Sequence, residues 1–209
     1  MSRTVSRFAP CRPLRPAGRL AALACGLCIA ATALRAEPRD YELDPEHLAI
    51  GFLVEHIGYS KVLGQFHEVS GSYRFDEQTG ELSEVSIIVE TASVSTNHAR
   101  RDRHLRSADF LNARRFARMT FTAATARRID DTTFEITGDL QLLGVTRPLT
   151  LTATWNKSGR YPIGLRPYVM GVSARGSFRR SDFGMSYGVA DALVGDTVEL
   201  IIEFEARRR

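Results

Sequence analysis

Residues 168–178 read YVMGVSARGSF, and the alternation in this stretch decides the fold class. Tyr168, Met170 and every second residue up to Phe178 are apolar or glycine, whereas Ser173, Arg175 and other polar residues occupy positions between them. A period of two is typical of a β-strand that turns one face toward a core. The stretch therefore predicts a long strand with one buried face.

The same alternation recurs throughout the chain after residue 40. It marks eight segments: 48–54, 69–75, 85–89, 119–123, 134–142, 149–155, 168–178 and 198–204. Most links between them are short and rich in turn residues, such as Leu143-Gly144 and Ser158-Gly159. Because parallel neighbours need crossovers of about a dozen residues, these links indicate antiparallel pairs. The sequence thus predicts an all-β fold of eight strands in up-and-down order.

A closed barrel is the favoured arrangement of these strands, because closure leaves no unpaired edge. A sandwich of two sheets with the same strands stays open as an alternative, since periodicity does not report closure. The exception to the alternation is 92–118, where helical spacing appears. Ser95-Thr96-Asn97 offers a helix start there, and Ser107 offers a second one.

The arginines of this segment are its most distinctive chemistry. Residues 100–118 contain seven arginines and only two aspartates. Guanidinium groups match phosphate oxygens, so this segment could hold an anionic group such as a pyrophosphate head. From these charges alone, a solvated helical face is the favoured interpretation, because charged helix surfaces are common.

The charge of the whole chain divides at residue 36. The 209 residues have a formal net charge of +4, but 1–36 hold six arginines, no acid and all three cysteines. From 37 onward, 22 basic residues face 24 acidic ones. We therefore expect no nucleic-acid partner. The cysteine-free remainder excludes a disulfide scaffold, a thiol nucleophile and cysteine-ligated metal from that part.

The first 36 residues have the layout of a secretory signal peptide. A basic segment, 1–19, precedes an apolar run, 20–34, and small residues allow cleavage after Ala33 or Ala36. We predict a signal peptide at 1–36, a single domain at 37–209 and a periplasmic location. A mitochondrial transit peptide, an uncleaved anchor and lipidation at Cys25 fit less well.

No catalytic signature stands out. The five histidines form no HExxH motif, so no metal site is predicted, and Asp182-Phe183-Gly184 copies a kinase tripeptide without any other kinase motif. An enzyme acting on a small lipid-like substrate would need a histidine or carboxylate facing a cavity, such as His47 or Asp182.

A set of motifs is spread over nearly all of 40–206. The most specific are Arg101-Asp102-x-His104-Leu105-Arg106-Ser107 and Ser181-Asp182-Phe183-Gly184. The others are Tyr41-x-Leu43-Asp44-x-x-His47-x-x-Ile50-x-Phe52, Gly64-x-Phe66, Ser70-Gly71, Ser93-Val94-x-Thr96, Asp109-Phe110, Thr137-Gly138-x-Leu140, Gly144-Val145-Thr146, Arg180 with Met185, and Val194-Gly195-Asp196. Together these motifs resemble the YceI-like family of bacterial periplasmic lipid-binding proteins.

This resemblance implies a lipocalin-like barrel with a short helical segment near its mouth and an apolar interior that holds a polyisoprenoid or isoprenoid quinone. It brings no catalytic residues, so we expect a binding protein and no cofactor beyond a bound lipid. Carriage, storage and stress protection are the roles it suggests. Transient membrane contact and a homodimer stay open, as does a filled barrel acting only as a stress-responsive interaction protein.

The candidate ligand-binding residues fall into two groups. Apolar residues from the alternating segments, together with Phe183, are expected to line the interior, and three residues of the arginine-rich segment are expected to meet a polar head. The lining candidates are Ile50, Phe52, Phe66, Ile87, Phe121, Phe134, Leu151, Met170 and Phe183, and the head-group candidates are Arg101, His104 and Arg106.

Overall fold

Extended backbone dominates the computed structural model, which describes residues 37–209. Its strands are β1 (Arg39–His56), β2 (Ser60–Phe66), β3 (Val69–Phe75), β4 (Leu82–Glu90), β5 (Val94–Ser95), β6 (Arg118–Ala123), β7 (Ala126–Arg128), β8 (Thr133–Leu142), β9 (Val145–Arg160), β10 (Tyr168–Arg179) and β11 (Val194–Arg208). One α-helix, α1 (Ala99–Leu105), and two 3-10 turns, Thr91–Ser93 and Arg180–Phe183, accompany them.

The sheet closes on itself. Successive neighbours β1, β3, β4, β6, β8, β9, β10 and β11 pair antiparallel, and β11 pairs back onto β1, with Ile50 opposite Ile202 and Val54 opposite Val198. The ring therefore has eight strands, each containing one of the eight predicted segments. This confirms the barrel and excludes the two-sheet sandwich.

Three further strands were not predicted. β2 pairs with the second half of β1, beyond the part of β1 that pairs with β3. β5 pairs with β2, and β7 pairs with β8. Leu63 interrupts the alternation of apolar and polar residues in β2, because it is apolar yet lies on the outer face, where it is 61% exposed.

The antiparallel order places the links at two ends of the barrel. We call one the mouth end; it carries the β1–β2 turn 57–59, the segment 91–117, the β8–β9 turn 143–144 and the loop 180–193. The opposite end, the base, carries the links 76–81, 129–132 and 161–167.

The segment 92–118 contains less helix than predicted. Only the seven residues of α1 are α-helical, and no second helix begins at Ser107, where the chain continues in turns. The N-cap is His98, whose Nδ1 accepts the Arg101 N–H at 3.2 Å. The cap is therefore not one of the expected residues Ser95-Thr96-Asn97, and Thr96 bonds to Asp102 instead.

The predicted signal peptide, 1–36, lies outside the described residues. Within 37–209, every helix is too short or too polar to span a bilayer.

Candidate functional site: an apolar cavity inside the barrel

A cavity of about 530 Å³ occupies the barrel interior. Side chains from all eight ring strands line it, and most are apolar. Its volume falls in the range of about 300–1,000 Å³ that is usual for small-molecule sites. The interior is therefore open, which counts against a fully packed barrel.

The alternation of the strands builds the cavity wall. Small residues leave room between the bulky ones: Ala153 of β9 and Ala174 of β10 are paired in register and both lie in the wall. Close packing also demands glycine at several places, for example at Gly64, where a Cβ would overlap the ring of Phe52. The wall is consequently shaped by residue size as well as by polarity.

Ten of the twelve predicted site residues line this cavity. They are Ile50, Phe52, Phe66, Ile87, Phe121, Phe134, Leu151, Met170, Arg101 and His104. The structure brings them together from seven strands and α1. Their role in binding stays a prediction.

The other two candidates lie elsewhere. Phe183 is buried in the 3-10 turn after β10, where its ring packs edge-on against Phe178 at 5.4 Å between centroids. Arg106 donates from Nε to the Ala92 carbonyl and from Nη2 to the Val94 carbonyl, both at 2.6 Å. Phe183 thus packs behind the wall, and Arg106 fastens the end of α1 to β5.

Sequence reasoning missed several wall residues. Trp155 lies on the inner face of β9 together with Leu151, so the alternation of this strand could have identified it as a wall residue. Phe110, Arg180 and Tyr187 come from loops, where no periodic signal exists.

Polar groups of the wall gather at the mouth end. Arg101, His104, His56 and Glu55 line the cavity there, next to Tyr187. The His104 Nε2 lies 2.8 Å from the Asp109 carboxylate, and its ring stands edge-on to the Tyr187 ring at 5.0 Å between centroids. The cavity is therefore polar at its mouth and apolar along its depth.

A buried carboxylate, Asp102, holds α1 in place at the mouth. It accepts the backbone N–H of Thr96 at 2.8 Å and the Thr96 hydroxyl at 2.5 Å. Burial acts to raise the pKa of Asp102, but the bonds from Thr96 and the charge of Arg106 outweigh it and lower that pKa. Arg101 also bonds to Thr96, at 2.7 Å from Nε to Oγ1. These contacts explain why the Arg101-Asp102 motif accompanies Thr96.

A buried guanidinium organises the loop on the other side of the mouth. Arg180 is 1% exposed and donates to the carbonyls of Met185, Tyr187, Val194 and Gly195 at 2.7–2.8 Å. Burial lowers its pKa, against the opposing charge of a nearby aspartate. Arg180 therefore joins the loop 180–193, which forms part of the rim, to the start of β11.

At the base, a carboxylate joins three strands and a link. Glu77 accepts the hydroxyls of Tyr41 and Ser158 at 2.5 Å each and of Tyr168 at 2.9 Å, and Arg208 lies over the Tyr168 ring. Burial acts to raise the pKa of Glu77, but these hydroxyl bonds and Arg208 outweigh it and lower that pKa. The pKa of Tyr41 is raised by the burial of its own hydroxyl and by its hydrogen bond to the Glu77 carboxylate.

The residues considered for catalysis do not line the cavity. His47 lies on the outside of a bulge in β1, where its Nδ1 is 2.9 Å from the carboxylate of Asp44. Asp182 is exposed in the 3-10 turn. Asp44, His47 and Glu205 do cluster within metal-binding reach of one another, but Arg207 already bonds to Asp44 at 2.8 Å and supplies positive charge.

A closed eight-stranded antiparallel barrel around one large apolar cavity defines a lipocalin-like protein. The model of the YceI-like domain matches residues 41–206, and the chain belongs to the YceI-like family. Protein YceI of Escherichia coli is 39% identical over 168 residues, which cover 79% of this chain and 85% of that protein.

Two solved structures share this fold. The YceI protein of Campylobacter jejuni is 30% identical, has a TM-score of 0.68, and the match covers 74% of this chain and 90% of that one. A polyisoprenoid-binding domain from Saccharophagus degradans, implicated in plant cell wall breakdown, has a TM-score of 0.59 at 13% identity, with 81% and 98% of the two chains covered. At that identity the second likeness shows the fold alone.

Proposed function

We propose that this protein binds a long isoprenoid lipid, a polyisoprenoid or an isoprenoid quinone, with the tail inside the barrel and the head at the mouth. The observation that carries the proposal is the polarity of the cavity, which is apolar along its depth and bordered by Arg101 and His104 at its opening. The related polyisoprenoid-binding domain supports the choice of ligand class.

The energetics favour a long tail. Each buried methylene contributes about 0.8 kcal/mol, so several isoprene units bind strongly without any covalent step. Ordering the flexible tail offsets part of this gain, as does the ligand's stability in a membrane. The function we propose is therefore binding without catalysis, for carriage, storage or stress protection.

The proposed location is the periplasm. The layout of 1–36 supports export, and the absence of cysteine from 37–209 suits an oxidising compartment. Cell fractionation together with N-terminal sequencing of the product tests this. We expect a periplasmic protein that begins after Ala33 or Ala36; a cytoplasmic, full-length product would overturn it.

Two partner proposals accompany this location. Because an isoprenoid lipid otherwise resides in a membrane, the protein contacts a membrane transiently during exchange. A homodimer remains a separate prediction, and light scattering of the purified protein tests it.

Ligand binding can be tested with the protein's own fluorescence. Trp155 is the one tryptophan of the chain and lies in the cavity wall toward the base, so a tail that reaches this depth should change its emission. The protein should be expressed from the full chain, purified and extracted with organic solvent for mass spectrometry. We expect a co-purifying isoprenoid and a saturable change in Trp155 emission on addition of ubiquinone in micelles. Absence of both would refute the proposal.

A further inference from the structure

The rim of the cavity carries unusually exposed apolar side chains. Tyr59 at the tip of the β1–β2 turn is 89% exposed, and Ile57, Tyr187 and Leu193 are each 43–46% exposed. The Ile57 N–H donates to the Leu193 carbonyl at 3.2 Å, so the turn and the loop 180–193 form one continuous edge. Ile57, Tyr187 and Leu193 also line the cavity, which places this edge around its opening.

Beside this apolar edge lies a basic surface. Arg101 and His104 of α1 line the cavity, so the helix stands at the mouth, with Arg100 and Arg103 exposed on it and Arg114 exposed in the turns that follow. Arg101 is engaged with Thr96, as described above. Within residues 37–209, in contrast, Arg100, Arg103 and Arg114 form no ion pair or side-chain hydrogen bond. Their charges are available to a partner.

We propose that the mouth end docks on an anionic phospholipid bilayer, with Tyr59 and its apolar neighbours at the interface and Arg100, Arg103 and Arg114 on the lipid phosphates. The proposal rests on the proposed function, since docking in this orientation turns the cavity opening toward the hydrocarbon. A tail can then pass between bilayer and barrel with little exposure to water. Aromatic side chains favour the membrane interface, and arginine favours anionic head groups.

The base provides a competing surface. The β9–β10 link there exposes Ile163 by 70% and Leu165 completely, and Arg160 and Arg166 flank them. This tip resembles the mouth edge in composition but stands at the end away from the cavity opening. Its residues therefore supply a matched control for the orientation of docking.

Flotation with vesicles tests the docking. Protein expressed from the full chain and purified is mixed with phosphatidylcholine vesicles that contain or lack phosphatidylglycerol. We expect partitioning onto the anionic vesicles only, and weaker partitioning at high salt. Because each arginine near an anionic surface contributes about 1 kcal/mol, the triple variant R100Q/R103Q/R114Q should bind about 100-fold more weakly. Tyr59→Ser should also weaken binding.

The base variant R160Q/R166Q/L165S should bind the vesicles like the wild type. Retained binding by the mouth variants, or loss of binding by the base variant, would overturn the proposed orientation. No binding by the wild-type protein would overturn docking altogether.

The change in Trp155 emission on addition of ubiquinone in micelles separates this proposal from the function on which it rests. The mouth variants should respond to ubiquinone like the wild type, because none of their substituted residues lines the cavity. Wild-type protein that responds to ubiquinone in micelles but does not bind anionic vesicles would refute docking alone. Wild-type protein that does neither would refute both proposals.

Discussion

Filling the middle of the cavity should shorten the lipid tail that the barrel accepts. Ala174 is 4% exposed and lies in the cavity wall, paired with Ala153 on one side and Ile202 on the other. β10 runs from the base at Tyr168 to the mouth at Arg179, so Ala174 stands about halfway down. A phenylalanine here projects its ring into the space that the distal part of a tail would occupy.

The loss of binding free energy follows from the part of the tail that the new ring excludes from the cavity. An isoprene unit has five carbons, and at about 0.8 kcal/mol for each its burial contributes about 4 kcal/mol. Ordering that part of the tail offsets about 1 kcal/mol. Excluding one unit thus weakens binding by about 3 kcal/mol, or roughly 100-fold in Kd.

The assay is a calorimetric titration with ubiquinones of increasing tail length in micelles, which reports binding whatever depth the tail reaches. For Ala174→Phe, we expect short-tailed quinones to bind as they do to the wild type and the gain in affinity with length to stop earlier. Ala49→Phe, the same substitution at an exposed position of β1, is the control and should behave like the wild type. An equal loss for all tail lengths, or no loss for long tails, would refute the placement of the tail along the barrel.

Three substitutions test the framework around the cavity. Gly64→Ala forces a Cβ into the ring of Phe52 and should lower the free energy of unfolding by about 1–3 kcal/mol in urea titrations, whereas Gly171→Ala, which meets no such contact, should be neutral. Asp102→Asn should cost about 1–3 kcal/mol at neutral pH. Because the folded-state pKa of Asp102 lies below its ordinary value of 3.8, this contribution is present above that value and lost as the pH falls through the folded pKa. The free energy of unfolding of the variant should therefore fall less steeply than that of the wild type as the pH is lowered below about 4. An identical pH dependence of the two proteins would contradict the stabilising role of the Asp102 carboxylate. Arg180→Lys leaves several buried carbonyls without donors and should lower the Tm and expose the rim loop to proteolysis; an unchanged protease pattern would count against the role of Arg180.

The ring strands and their inner faces were readable in the sequence, because a barrel wall repeats every second residue over long stretches. Ile87 and Phe134 lie in the wall where the alternation places them. β2 escaped detection because Leu63 puts an apolar side chain on the outer face.

The mouth was less predictable, because tertiary contacts rather than periodicity set it. Tyr187 reaches the cavity because Arg180 holds the backbone of its loop, and no local pattern encodes that bond. Phe183 belongs to a 3-10 turn, so the period of β10 does not extend to its side chain. Asp102 of α1 likewise bonds to Thr96, which precedes the helix, and a helical sequence pattern does not predict this contact.

The seam between β1 and β11 has a consequence for how the chain reaches its folded state. The first and last strands of the domain pair along nearly their whole length, from Tyr41 opposite Arg208 to Val54 opposite Val198. Contacts of such high sequence separation slow folding, because the loop that they close must first lose its entropy. A growing chain therefore cannot complete the barrel until its final strand has been synthesised. A premature stop before β11 would leave two open strand edges and an uncovered apolar interior, so that a small truncation would produce an aggregating species instead of a weakened barrel.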